Sequence, residues 1–137
     1  MRRWLPLLCA VLIYLAAWVW GERVGYTGTA NWVGHNLGFF AVVSLLVVWR
    51  GGWRGLAWTL GGLVAGVVLG DLIGDPIYQG QLDQLARQKL DPAYRQDWEP
   101  HHPGWAIASA VFLAASVVGL WRRRARATTE DAAPAAG

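Results

Sequence analysis

Five side chains define the chemistry open to this sequence: His35, Asp71, Asp75, His101 and His102. Imidazole nitrogens and carboxylate oxygens are donors for zinc and other divalent metals, so their convergence would make a metal site. An Asp71–His35 pair inside a membrane would instead bind or pass a proton, because ionisable groups at that depth are costly and usually functional. A third use is structural, with Asp71 and Asp75 capping the end of a helical hairpin and His101 and His102 lying in solvent. No His-x-x-x-His or His-Glu-x-x-His occurs, and the one cysteine is Cys9, so spacing alone does not select among the three.

Other chemistries are excluded more firmly. A b-type haem held in the membrane needs axial ligands on facing helices, and of the three histidines only His35 lies within an apolar stretch. Ser44, Ser109 and Ser116 have no histidine near their depth, and there is neither a Gly-x-Ser-x-Gly elbow nor a phosphate-binding glycine loop. A single cysteine rules out a disulfide-stapled domain.

What must position these residues follows from the composition. The chain has 137 residues, 55% of them apolar and only 15% charged, against roughly 25% charged in an ordinary soluble domain. The charge is missing from four stretches: Trp4 to Trp20, Trp32 to Trp49, about Gly55 to Ile73, and Trp105 to Trp121. None contains Lys or Arg, and Asp71 is the sole acid. At about 1.5 Å per residue each reaches roughly 26–28 Å, enough for a bilayer core of about 30 Å with little tilt. The expected fold is all-α, a four-span transmembrane bundle in one membrane domain, residues 1–126, followed by a disordered cytoplasmic tail, 127–137.

Eight basic residues fall on one side of these spans (Arg2, Arg3, Arg50, Arg54, Arg122, Arg123, Arg124 and Arg126) and four on the other. Basic residues near span ends stay in the cytoplasm, so both termini are expected there, in the plasma (inner) membrane. The loops Gly21–Asn31 and Asp75–Gly104 then lie outside. The ten tryptophans divide evenly between the two interfaces, where an amphipathic indole is most stable. Span 1 is too long and too tryptophan-rich near its end to read as a cleaved signal, and bulky Leu8 before Cys9 does not suit lipoprotein acylation. The arginine-rich tail could touch anionic lipid; nucleic-acid binding does not follow from it.

Gly62, Gly66, Gly70 and Gly74 recur every four residues in span 3. Small residues on one face let another backbone come close, either within the chain or in a partner, including a second copy. The five-residue turn Arg50–Arg54 makes spans 2 and 3 an antiparallel hairpin. In the outer loop, Asp75-Pro76-Ile77-Tyr78 and Asp91-Pro92-Ala93-Tyr94 repeat Asp-Pro-x-Tyr; Asp before Pro starts a helix, so one short interfacial helix to about Leu90 and a stub near Trp98 are expected. His35 and Asp71 lie at matching depths on counting residues along their spans, and each is about 60° around its helix from a glycine of the packing face. On this reading His35, Asp71, Asp75, His101 and His102 form one polar level at the outer face.

Two functions fit. One is a non-catalytic accessory or assembly subunit of a membrane complex, in contact with lipid and a membrane-protein partner. The other is an ion- or metal-handling protein, transporter-like and homo-oligomeric, using a divalent metal at the outer polar level. The topology itself is testable. In a Cys9→Ser background, Leu90→Cys should react with a membrane-impermeant maleimide on intact cells and Glu130→Cys only after lysis; the reverse pattern would invert the orientation.

Overall fold

The computed structural model describes the backbone of residues 4–131 and the side chains of 4–121. It is all-helical over the described residues, with α1 Leu5–Val24, α2 Gly28–His35, α3 Leu37–Gly51, α4 Trp53–Gln88 and α5 Gly104–Asp131. Three helices are long and apolar enough to cross a membrane, or four candidates if the bent pair α2–α3 counts as one span. Trp4 packs edge-on to Trp49 at 6.3 Å, and Gly119 lies against Trp58. These contacts place the start of α1, the α3–α4 turn and the later part of α5 together at an arginine-rich end. The α1–α2 turn and the segment from 89 to 103 occupy the opposite, connector end.

The expected second span is not one helix. It breaks at Asn36, and α2 and α3 diverge by 75°. The Asn36 side chain donates to the Trp32 carbonyl at 2.9 Å, and its backbone N–H also reaches back to that residue. A short polar side chain folded back onto its own helix marks the point where the ladder stops. α3 alone has 15 residues, or about 22 Å, while α2 turns across the connector end and packs on α4 and α5.

The third span also differs. Asp75-Pro76 does not begin a new helix: α4 runs unbroken for 36 residues with Pro76 inside it. Proline here removes one ladder donor without ending the helix, and at about 54 Å α4 far exceeds a bilayer core, so its polar second half extends beyond the apolar part. Nor does Asp91-Pro92 begin a stub. Asp91 accepts the Ala93 N–H in a local turn, and the chain returns along α4, fastened by Trp98 to Gln88 at 3.2 Å and by the His101 N–H to Gln81 at 2.8 Å. Two glutamine side chains satisfying a returning loop is a signal that hydropathy does not carry. α5 stays helical past Trp121 to Asp131, into the stretch read from sequence as the tail; residues 132–137 lie outside the described ones.

α4 and α5 make the most extensive contact in the molecule. Gly62, Gly66, Gly70 and Gly74 are all buried, and the face opposite them carries Gly104, Ala108, Phe112 and Ser116, also buried at four-residue spacing. A Cβ on Gly66 would lie 2.7 Å from the Ala108 carbonyl oxygen, and one on Gly70 would lie 2.8 Å from that of Gly104. The glycine stripe therefore packs within the chain. Phe40 and Phe112 meet edge-to-face at 4.9 Å in the centre of the core. α1 is peripheral, burying only Pro6, Ala10 and Tyr14; the Tyr14 hydroxyl meets the Ser44 hydroxyl at 2.6 Å and ties α1 to α3. α3 and α4 are joined through Gly52 at φ +60 and ψ −139, a conformation that requires glycine.

The close approach yields a clean pair of variants. Gly66→Val forces backbone against side chain and should cost about 1–3 kcal/mol, read as a shift in the unfolding midpoint in detergent. Gly61→Val, whose added Cβ meets nothing within 4 Å, should stay within about 0.5 kcal/mol.

Candidate cation site at the connector end

Because α4 and α5 touch through glycines, the residues just beyond the stripe are brought together. Asp71 and Asp75 stand one turn apart on α4, and His102 arrives immediately before α5. A donor atom from each lies within 4.8 Å of the other two. His102 Nε2 is 2.8 Å from Asp75 Oδ1, and its ring edge rests on the bare Cα of Gly74. The Tyr78 ring flanks it at 5.7 Å.

Each carboxylate serves a helix N-terminus. Asp71 Oδ1 accepts the Thr29 N–H at 2.8 Å, within the first turn of α2. The opening N–H groups of a helix have no partner in the helix itself, and the macrodipole adds positive potential, so a carboxylate there is doubly favoured. Gly28 makes this possible: it has φ +56, and a Cβ on it would lie 2.8 Å from Asp71 Oδ1. At α5 the arrangement has one more link. The Gly104 N–H donates to His102 Nδ1 at 3.1 Å, and Asp75 holds the other side of the ring. Apart from this imidazole–carboxylate contact there is no ion-pair geometry among the described residues, so no Lys or Arg among them reaches either carboxylate.

Of the five residues expected at one polar level, the structure unites Asp71, Asp75 and His102. It leaves His35 and His101 apart. His35 sits at the far end of α2 from Thr29, six residues and about 9 Å along the helix, where Nδ1 meets the Asn31 carbonyl at 2.8 Å. The depth argument assumed an upright, continuous second span; with α2 turned by 75°, its N-terminus rather than His35 meets Asp71. His35 instead borders a separate cleft of about 580 Å³ shared with Glu22, Tyr26 and Asn31. His101 bonds the Glu99 carbonyl through its ring and faces solvent.

Sequence reasoning missed Thr29, which is 1% exposed. Its hydroxyl is buried with no hydrogen-bond partner. The usable signal was Thr27-Gly28-Thr29, a helix-start composition directly before an apolar run. A groove of about 710 Å³ between α1 and α3, walled by Trp4, Leu8, Val42 and Trp49, is almost wholly apolar and offers no comparable chemistry.

The fold defines the class, an all-helical protein with helices fit to cross a membrane. No protein-family model matches the chain, and neither a curated protein nor a solved structure is similar to it.

The Asp71 contact predicts a specific pattern of stability. Asp71→Ala strips the acceptor from the Thr29 N–H and should cost about 1–2 kcal/mol. Asp71→Asn keeps a carbonyl in place and should recover most of it. Deuterium exchange at the Thr29 amide should quicken in the alanine variant and change little in the asparagine one.

Proposed function

We propose that this chain is a small multi-pass integral membrane protein that holds a divalent cation at the Asp71–Asp75 carboxylate pair beside His102. Following the arginine distribution, the connector end faces the outside of the plasma membrane and the termini face the cytoplasm. The observation that carries the reading is the pair of carboxylates one turn apart with donor atoms inside 4.8 Å and, among the described residues, no Lys or Arg paired with them. Like charges at that spacing on a helix repel each other, and a bound cation removes the repulsion. Asp75 has 63% of its side chain exposed, which gives an ion a route in from solvent.

A second reading, a non-catalytic accessory or assembly subunit, draws support from the two N-terminal contacts. A polar cluster whose groups hold α2 and α5 onto α4 serves the fold even without an ion. Elemental analysis of detergent-purified protein separates the two. The cation reading expects close to one divalent metal per chain after dialysis against a trace mixture, lost in Asp71→Asn and Asp75→Asn variants that remain folded. Metal-free protein from that dialysis would overturn it and leave the accessory role.

A further inference from the structure

We infer that the site is built for a hard divalent cation of the magnesium, calcium or manganese kind, bound through the Asp71 and Asp75 carboxylate oxygens and water, with His102 holding Asp75 rather than the ion. This rests on the cation reading above and specifies its ligand chemistry.

A backbone N–H can only donate, so the 3.1 Å contact from Gly104 requires a lone pair on His102 Nδ1. The ring proton is then on Nε2, directed at Asp75 Oδ1 2.8 Å away. One nitrogen has spent its lone pair on α5, and the other carries hydrogen. Neither can ligate a metal unless His102 releases the first turn of α5. A histidine ligand shares one half of this pattern, one nitrogen donating to a carbonyl or carboxylate, but keeps the other nitrogen free for the metal, and here that nitrogen accepts from Gly104.

The oxygens have capacity to spare. An ionised carboxylate offers about four lone-pair positions. Each aspartate uses one of its two oxygens, Asp71 toward Thr29 and Asp75 toward His102, while Oδ2 of both accepts nothing among the described residues. Two free carboxylate oxygens and no available nitrogen or sulfur favour ions that prefer oxygen and retain water over zinc, which prefers nitrogen and sulfur.

An independent observation comes from Thr29. Its buried hydroxyl lacks any partner, a state shared among the described residues with that of Tyr94, whereas the buried hydroxyls of Thr59 and Ser116 bond carbonyls of their own helices. The Thr29 oxygen and the His102 ring both crowd the bare Cα of Gly104, and the oxygen is 2.9 Å from the position of a Cβ on Gly70. It thus lies in the seam of α2, α4 and α5, beside the His102 ring and on the residue whose own N–H holds Asp71. A water of the ion's shell would give this hydroxyl its missing bond.

The test uses the full-length protein in detergent micelles, stripped with chelator and titrated with Mn²⁺ by electron paramagnetic resonance. One Mn²⁺ per chain is expected, displaced by Mg²⁺ or Ca²⁺, with no imidazole-nitrogen coupling in the bound spectrum. His102→Gln, which keeps an N–H donor toward Asp75, should change affinity by less than about threefold, and His102→Ala by about 10–100-fold as for loss of an outer-shell partner. Thr29→Val should weaken binding without altering the spectrum's lack of nitrogen coupling. Nitrogen coupling from His102, or Zn²⁺ binding that His102→Gln abolishes while Mn²⁺ does not bind, would overturn this ligand assignment and leave the cation site standing. Failure of every ion to bind the folded wild-type chain would remove the site itself.

Discussion

Everything at the connector end depends on how closely two backbones approach. α4 and α5 meet through Gly62, Gly66, Gly70 and Gly74 on one side and Gly104 and Ala108 on the other. Lipid supplies no hydrophobic force to press two apolar helices together, so contact area gained by removing side chains has to do it. The last glycine of the stripe is Gly74, and what rests on it is the His102 ring. Fixing the helix pair therefore fixes the histidine one residue from Asp75, and the geometry of the cluster is inherited from the packing.

The same cluster shows how carboxylates are kept near an apolar bundle with no arginine or lysine paired to them among the described residues. Asp71 takes its positive partner from the start of α2, and Asp75 reaches the start of α5 through His102. These are partial charges at helix ends, adequate for one oxygen of each carboxylate and leaving the second oxygen open. Three long-range ties, at Gln81, Gln88 and Asp75, then lay the 89–103 segment back along α4, so the cluster is closed on one side by protein and open to solvent at Asp75.

The sequence by itself determined the helical class, the stretches apolar enough to cross a membrane, and the importance of the glycine face, because each is written in local composition and four-residue periodicity. It also singled out Asp71, Asp75 and His102, since few polar groups stand near span ends. It misplaced His35 and overlooked Thr29 for one shared reason: an unbroken second span was assumed, and the break depends on where a single amide, that of Asn36, finds its acceptor. The Asp-Pro pairs misled in a similar way, as a proline that could begin a helix is tolerated inside one already held by its neighbours. Only the tertiary structure decided which residues face one another, because orientation around a broken helix and the path of a returning loop are set by contacts between residues far apart in the chain, such as His101–Gln81 at a separation of 20 and Thr29–Asp71 at 42.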